Sequence, residues 1–418
     1  MRLTLPGRAL VRQRLPCLLG LLLACVGALG QTPSGKDDFD QFLVQCPQSQ
    51  ATGQPGLSQA SVQAAPLPNG SGAPRIGFWG DSHTASGHFV DAMVGAWGMA
   101  GARALPMRVP PALGMAGLRM PWRGACLSPG WKLQAAHRAN PNEGGFSPSL
   151  MYLAASTPGQ ALWLDLDGAD KQRSLQGLTL QLAKADPQRA LVLGVSVNRA
   201  PETLVSLSNA AQSALHIRPP EGRLTSIRLR LVTGQITLHA LDLVYQRPPA
   251  LVLDLFSVPG AMASGWSLPA MRDMPGVRYD LVVLQYGTND AIGANFDPQA
   301  YSRSLQQSLA RFRALHAQAR CILIGPPDRA SSGAASPNYG LRHWVISRIQ
   351  DSLSREFKCE FWNWQAAMGG GMGASMLRWA ATNPPWAQPD LIHLTAAGYE
   401  QSARLFAAAV PWRPGVAR

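Results

Sequence analysis

Residues 75–83 read Arg-Ile-Gly-Phe-Trp-Gly-Asp-Ser-His, and this stretch decides the fold. Its apolar first half, ending at Gly80, predicts a short buried strand. After Ser82 the apolar residues recur at helical spacing from Phe89 to Trp97. The sequence therefore predicts a tight strand-to-helix turn that exposes the Ser82 hydroxyl beside the N–H groups of a helix start.

A second apolar run, residues 279–286, is followed by Gly287-Thr-Asn-Asp290. If the run is a parallel strand, the polar residues lie at the carboxyl edge of the sheet, where ligands bind in α/β proteins. The side-chain amide of Asn289 can donate to a developing oxyanion. The alternative is that Asn289 only caps a turn.

The third polar motif lies near the end of the chain, where Asp390 and His393 are three residues apart. This spacing lets the carboxylate reach one imidazole nitrogen while the other nitrogen faces a nucleophile. Residues 394–410 predict a closing helix with Thr395 as its N-cap. With Ser82 and Asn289, the motif supplies a nucleophile, a base, an orienting carboxylate and an oxyanion donor. In the chain order Ser…Asp…His, these are the parts of a serine esterase.

The set of motifs resembles the SGNH (GDSL-type) hydrolase family, whose sequence blocks carry Ser, Gly, Asn and His. Ser82 matches the first block, Asn289 the third, and Asp390 with His393 the fifth. Gly260, which follows a predicted strand over residues 250–256, is our choice for the second block. The resemblance implies an oxyanion hole made of the N–H groups of Ser82 and Gly260 and the Asn289 amide. It implies no metal and no organic cofactor.

His83 stands where the family name implies leucine, so the match is closer to the acetylesterase branch of the family. Residues 324–327 and 361–369 also resemble peptidoglycan O-acetylesterases of Gram-negative bacteria, and the likeness spans roughly residues 72–127 and 249–412. The function implied is release of the muramyl C6 O-acetyl group from peptidoglycan. The alternatives are an acetylesterase for another polysaccharide, an SGNH-type O-acetyltransferase and a non-catalytic glycan-binding protein.

The start of the chain predicts export. Residues 1–30 carry four Arg before an apolar stretch that is too short to span a bilayer, which is typical of a secretory signal peptide. Cleavage before Gln31 is favoured, with lipoprotein anchoring at Cys25 as the alternative. We expect a periplasmic protein without stable membrane insertion after cleavage, because no later segment is long and apolar enough to cross a membrane. The sequence predicts no particular oligomeric state.

The chain of 418 residues has a formal charge of +13. Removing residues 1–30, which contain no acidic residue, leaves +9. A basic surface favours anionic partners such as a cell-wall polymer. The excess charge is dispersed, without a run of Lys and Arg interleaved with aromatic residues, and this argues against nucleic-acid binding.

Four cysteines lie beyond residue 30, and none has the C-x-x-C spacing of a zinc site. In an oxidising compartment they are expected to pair. Cys321 and Cys359 each open a predicted strand, and the starts of consecutive parallel strands lie side by side. We predict the disulfides Cys321–Cys359 and Cys46–Cys126.

Composition and pattern divide the chain into a signal peptide (1–30), an N-terminal segment and linker (31–71), and a hydrolase in two parts (72–127 and 249–418). Between the two parts, residues 128–248 alternate strongly in hydropathy and are punctuated by turns, which predicts an inserted antiparallel β-sandwich. From residue 250 onward strand–helix units return, with amphipathic helices predicted over 301–317 and 342–357. The predicted fold is a three-layer α/β/α hydrolase of the SGNH type with a parallel sheet, interrupted by this sandwich. Carbohydrate-binding modules have the sandwich form; an insert that only packs is the alternative.

Overall fold

The computed structural model describes residues 72–413 except 100–103, 114, 141–143, 168–172, 184–189, 208–212, 269–270, 272–276, 294 and 332–337. The predicted signal peptide, the lipoprotein alternative at Cys25, the linker over residues 31–71 and Cys46 lie outside the described residues.

The strands of the described residues fall into three sheets. In chain order they are β1 (Arg75–Gly80), β2 (Ala104–Leu105), β3 (Arg108–Val109), β4 (Gly124–Leu127), β5 (Lys132–Ala135), β6 (Met151–Ala155), β7 (Ala161–Asp165), β8 (Leu175–Leu182), β9 (Leu191–Val197), β10 (Thr203–Leu207), β11 (Ala214–Ile217), β12 (Ser226–Thr233), β13 (Ile236–Tyr245), β14 (Leu251–Leu255), β15 (Leu281–Gln285), β16 (Arg320–Ile324) and β17 (Glu360–Trp362).

One sheet is parallel throughout, with the strand order β17-β16-β15-β1-β14-β2. β1 lies near its centre and is fully buried from Ile76 to Gly80. Such continuous apolar strands are typical of a parallel sheet that is covered on both faces. The segment quoted first therefore forms the central strand on which the neighbouring strands align.

The helices of the described residues are α1 (Ser82–Ala85), α2 (His88–Val94), α3 (Pro298–Leu315), α4 (Tyr339–Glu356), α5 (Trp364–Ala367), α6 (Ala374–Ala380) and α7 (Ala396–Ala409). Alternate residues of the parallel strands contribute to two separate cores. On β15, Leu281 and Val283 share a core with α2 and α7, whereas Val282 and Leu284 share one with α3 and α4. The parallel sheet thus lies between two layers of helices.

Helix boundaries follow local capping chemistry. The helix expected after Ser82 is broken at Gly87, whose φ of 81° is left-handed, so that α1 and α2 are separate. α3 begins three residues before the predicted start at residue 301, because Asp297 accepts a hydrogen bond from Gln299 N and Pro298 occupies the first turn. Thr395 caps α7 by accepting from Gly398 N, as predicted.

The other two sheets are antiparallel. One has the order β10-β9-β12-β7-β4, and the other has the order β11-β8-β13-β6-β5 with β3 paired to β13. Side chains from both sheets contribute to one hydrophobic core, which includes Leu164 and Leu229 from the first sheet and Leu180 and Leu241 from the second. Strand β4 joins the first antiparallel sheet although it lies before residue 128 in the chain.

A buried charged cluster connects the parallel sheet to the antiparallel strand β3. Asp254, on β14, accepts hydrogen bonds from the backbone N–H groups of Met107 (2.9 Å) and Arg108 (2.8 Å) and from Arg75 Nε (2.7 Å). The buried Arg108 side chain then pairs with Asp242 on β13, with 2.6 Å between Nη2 and Oδ2. Burying these charges is tolerable only because each is paired.

The disulfide Cys321–Cys359 is present, with 4.6 Å between the Cα atoms. Its prediction from adjacent parallel strands is confirmed, since β16 pairs with β17. Cys126 is also disulfide-bonded, and its predicted partner Cys46 lies outside the described residues. Within the described residues, no helix combines the length and hydropathy needed to cross a bilayer, and no group of three His, Cys, Asp or Glu side chains is placed to hold a metal ion.

Removing the Cys321–Cys359 disulfide should destabilise the protein measurably. The cross-link spans 38 residues, and constraining a loop of this size in the unfolded chain contributes about 2–4 kcal/mol. We expect the double variant Cys321→Ala/Cys359→Ala to unfold at a lower urea concentration, with a denaturant slope that is equal or steeper because the unfolded chain is less compact. An unchanged unfolding midpoint would contradict the prediction.

Candidate active site

Ser82 occupies the first position of α1, directly after the central strand β1. The Asp81 side chain caps this short helix by accepting a hydrogen bond from His83 N at 2.9 Å. At the first position of a helix, a backbone N–H has no carbonyl partner within the helix. The turn therefore presents both the hydroxyl and the N–H of Ser82 at the carboxyl edge of the sheet.

Ser82 is hydrogen-bonded to His393, which is in turn hydrogen-bonded to Asp390. Its Oγ lies 3.0 Å from His393 Nε2, and His393 Nδ1 lies 2.7 Å from Asp390 Oδ2. Partial burial raises the pKa of Asp390, but hydrogen bonds from the His393 side chain and from backbone N–H groups lower it by more. The net shift of the pKa is downward. Asp390 is therefore an anion suited to holding the imidazole in one tautomer.

The loop that carries these two residues is fixed by backbone contacts. Leu391 has a left-handed φ of 56°, which is unfavourable for a leucine and is tolerated where the surroundings impose it. Leu391 O accepts a hydrogen bond from Ala330 N at 3.2 Å, and His393 O accepts one from Gln388 N at 2.8 Å. These contacts position the imidazole next to the Ser82 turn.

Asn289 follows β15, the strand beside β1 in the sheet. Gly287 precedes it with a φ of 127°, and a Cβ at this position would come within 2.8 Å of Pro326. Only glycine therefore allows the chain to turn here. The Asn289 amide donates one hydrogen bond to Ala261 O at 3.0 Å, which leaves the second N–H of the amide for another acceptor.

Gly260 lies in a tight turn after β14, the neighbour of β1 on the other side. The turn is closed by a hydrogen bond from Ala261 N to Val258 O (3.0 Å), and Val258 N donates to Gly80 O (2.9 Å). Gly260 has a φ of 80°, and its N–H is not used in closing the turn. The structure thus places Gly260, Ser82 and Asn289 in the turns after three adjacent strands, and the loop before α7 brings His393 and Asp390 to Ser82. Their catalytic roles remain predictions.

His83 lies beneath the imidazole of His393. It is fully buried, its Nδ1 lies 3.2 Å from the Tyr399 hydroxyl, and its ring centroid is 5.2 Å from that of His393. Burial, followed by the charges of nearby groups, holds the pKa of His83 well below its ordinary value. His83 is therefore neutral and packs against the base.

Two acidic residues next to the site have unusually high pKa values. Burial raises the pKa of Asp81 to about 6. Burial, and then the nearby charge of Asp81, raises the pKa of Asp290 to about 7. Asp290 as a residue is partly exposed, but its Oδ2 atom is buried. Burial next to Ser82 and Asn289 therefore disfavours the ionised form of both carboxyl groups.

Comparison with known proteins agrees with the esterase-like geometry of the site. Residues 238–401 match the model of the GDSL-like lipase/acylhydrolase family. The matched segment includes Asn289, Asp390 and His393, and Ser82 lies before it.

This match over residues 238–401, together with the geometry around Ser82, supports an SGNH/GDSL-type acylhydrolase with esterase activity.

Among solved structures, the SGNH fold is supported by a peptidoglycan O-acetylesterase with a TM-score of 0.56 and 22% identity, an alignment that covers 81% of this chain and 91% of that one. A lipase/acylhydrolase from Enterococcus faecalis matches at 18% identity and a TM-score of 0.29, over 39% of this chain and 80% of that one. A carbohydrate esterase family 2 enzyme with a carbohydrate-binding domain, from Corynascus thermopiles (Myceliophthora fergusii), matches at 12% identity and a TM-score of 0.28. That alignment covers 64% of this chain and 96% of the other. No curated protein matches the sequence.

Sequence reasoning missed Asp328, which follows β16 at the same edge of the SGNH sheet. This fully buried carboxylate accepts hydrogen bonds from Gln365 Nε2 (2.7 Å), Gly373 N (2.8 Å) and Ser375 N (3.0 Å). It anchors the glycine-rich loop of residues 369–373. Its position after Gly-Pro-Pro at the end of a strand was the one signal in the sequence. The groups that donate hydrogen bonds to it lie some 40 residues further along the chain, so its role could not be inferred from neighbouring residues.

Asp290→Asn should change how stability depends on pH. A buried carboxyl with a raised pKa favours the folded state at low pH, and this stabilisation is lost as the pH rises from about 4 through about 7. The amide cannot ionise, so the melting temperature of the variant relative to wild type should be higher at pH 8 than at pH 5. Thermal unfolding at both pH values measures this difference. Asp351→Asn, at a residue on the α4 surface, is the control; equal differences at the two pH values for Asp290→Asn would contradict the prediction.

Proposed function

We propose that this protein is an exported serine esterase that removes O-acetyl groups from peptidoglycan through an acetyl-enzyme on Ser82. The observation that carries the proposal is the hydrogen-bonded series from Ser82 through His393 to Asp390 at the carboxyl edge of a parallel sheet. It is flanked on both sides by the donors expected of an oxyanion hole.

In the first half of the reaction, His393 Nε2 takes the Ser82 proton as Oγ forms a bond to the acetyl carbonyl carbon. Asp390 stabilises the imidazolium that results. The N–H groups of Ser82 and Gly260 and the second N–H of the Asn289 amide donate to the tetrahedral oxyanion. The bond from carbon to the sugar oxygen then breaks, and His393 gives its proton to the departing hydroxyl.

In the second half, water attacks the acetyl group on Ser82, and His393 again accepts the proton. The tetrahedral intermediate is held by the same donors, and its collapse releases acetate and restores the Ser82 hydroxyl. Every step uses a group of this chain or water, so the mechanism calls for no metal and no organic cofactor.

The choice of the muramyl C6 acetyl group as substrate rests on three supports. A structure with the same fold is described as a peptidoglycan O-acetylesterase. The apolar stretch after four Arg at the start of the chain favours export to the periplasm, beside the cell wall. The remaining charge of +9 suits an anionic polymer.

We further infer that the two antiparallel sheets are the layers of a β-sandwich inserted in the hydrolase, because they share one core. The role we propose for these sheets is to bind the polymer, as a carbohydrate-binding module does, and so to hold it near Ser82. Retention of an inactive Ser82→Ala protein on insoluble peptidoglycan would support this role, and a sandwich that only packs would give no retention.

Ester hydrolysis should collapse when the catalytic groups are removed in turn. Ser82→Ala removes the nucleophile and should lower turnover of p-nitrophenyl acetate by at least about a thousandfold. His393→Ala should be nearly as severe, and Asn289→Ala should cost about a hundredfold because one oxyanion donor is lost.

Ser86→Ala provides a matched control for this series. Ser86 lies at the end of the same short helix, and in the described structure its hydroxyl has no hydrogen-bond partner. Its variant should keep wild-type turnover. Wild-type turnover in purified Ser82→Ala would end the assignment of a serine mechanism.

The wild-type enzyme should release acetate from O-acetylated peptidoglycan with a higher kcat/KM than from acetylated xylan. Its kcat/KM on p-nitrophenyl esters should fall steeply for acyl chains longer than a few carbons. Acetate release and acetyl transfer to a glycan acceptor should be measured together. A preference for xylan or for long acyl chains would refute peptidoglycan as the substrate but would leave the serine mechanism standing. Acetyl transfer that exceeds hydrolysis would identify an O-acetyltransferase.

A further inference from the structure

Arg329 is a cation beside the candidate site to which the proposed mechanism gives no role. It follows Asp328 at the end of β16, and the next residue, Ala330, donates a backbone hydrogen bond to Leu391 in the loop of the predicted triad. Its guanidinium carbon lies 3.9 Å from the centroid of the Tyr339 ring, at the start of α4. The aromatic ring fixes the plane of the guanidinium next to the triad loop.

The guanidinium lacks the partners that a buried arginine normally has. In the described part of the chain, its Nε and Nη1 atoms are buried and have no hydrogen-bond partner. Burial lowers the pKa of Arg329, whereas electrostatic interactions with Tyr339 and with the Asp390 carboxylate raise it, and the net shift is downward. Leaving such donors unsatisfied costs free energy, which a ligand that accepts hydrogen bonds would recover.

The carboxylates around Arg329 are engaged elsewhere. Asp328 accepts from the Gln365 amide and from backbone N–H groups of the glycine-rich loop. Asp390 accepts from His393 and from Ile392 N. Neither makes an ion pair with Arg329 within the described structure.

The buried imidazoles near Arg329 do not neutralise it either. His83 and His343 both have lowered pKa values, chiefly because of burial and in part because of the positive charge of Arg329 itself. Arg329 is therefore a partly exposed cation without an ion-pair partner in the described structure, and the acid nearest to it in the site is hydrogen-bonded to His393.

We propose that Arg329 binds a carboxylate of the substrate while the acetyl ester lies at Ser82. The planar fork of a guanidinium matches a carboxylate with two parallel hydrogen bonds. The inference rests on the proposed function and narrows it: a muramyl residue carries a lactyl carboxyl group, and its stem peptide carries others, whereas a neutral acetylated sugar has none.

The test compares three 6-O-acetylated substrates that differ in charge. They are N-acetylmuramic acid, its neutral lactyl methylamide, and the muramyl dipeptide, in which the lactyl group is amidated but the peptide retains carboxylates. For the wild type, we expect kcat/KM on one of the two anionic substrates to exceed that on the neutral amide by about tenfold to a hundredfold. Which of the two is preferred identifies the lactyl or the peptide carboxylate as the ligand.

Variants of Arg329 should change this preference. In Arg329→Met the ratio between anionic and neutral substrates should fall to about one, and Arg329→Lys should recover part of it, because lysine keeps the charge without the fork. Arg355→Met is the matched control. It removes the same charge from the exposed far end of α4, sixteen residues or about 24 Å along the helix from Tyr339, and should keep the wild-type ratio.

The outcomes separate the two proposals. Equal wild-type kcat/KM on charged and neutral muramyl substrates would overturn the role of Arg329 and leave the proposed function standing. An equal loss of kcat/KM on all three substrates in Arg329→Met would also overturn it. Such a loss would indicate that Arg329 acts by positioning Asp390 and does not bind the substrate carboxylate. No wild-type activity on any of the three, with activity retained on p-nitrophenyl acetate, would refute both proposals.

A measurement on the unaltered enzyme covers the case in which Arg329→Met does not fold. N-acetylmuramic acid and muramyl dipeptide should inhibit hydrolysis of p-nitrophenyl acetate more strongly than N-acetylglucosamine does. Equal inhibition by the three compounds would contradict a carboxylate site.

Discussion

The hydrogen bond between Ser82 and His393 joins two residues 311 positions apart, and the rest of the fold is arranged so that it can form. A parallel sheet meets this requirement because the carboxyl ends of its strands share one edge. β14, β1 and β15 are adjacent, and the turns that follow them carry Gly260, Ser82 and Asn289. The loop before α7 then adds His393 and Asp390, the proposed base and its carboxylate, from outside the sheet.

Burial disfavours charge below Ser82. His83 is held neutral, and the pKa values of Asp81 and Asp290 are raised, so both carboxyl groups bind a proton at a higher pH than exposed ones do. Asp390, by contrast, has a lowered pKa and an exposed side. The carboxylate of Asp390 therefore lies at the rim of the site, next to the imidazole that is proposed to become charged during the reaction.

Local sequence signals were sufficient for the parts of the fold that depend on neighbouring residues. The strand and turn around Ser82, the cap at Thr395 and the disulfide between Cys321 and Cys359 follow from short-range pattern and from strand adjacency. The break between α1 and α2 was missed because helical spacing of apolar residues continues across Gly87. Asp328 and Arg329 were missed for a different reason: their surroundings are assembled from the triad loop, α4 and the glycine-rich loop, which come together only in the folded chain.

The charged cluster around Asp254 ties the antiparallel sheets to the parallel sheet, so residues 128–248 cannot be removed without disturbing the rest of the chain. Excising residues 128–248 would take Asp242 away and leave Arg108 as a cation stripped of its carboxylate, against a strand of the catalytic sheet. Loss or exchange of this segment during evolution would thus require a compensating change at Arg108. A recombined descendant that kept Arg108 would bury an unpaired cation beside β14, the strand whose following turn carries Gly260.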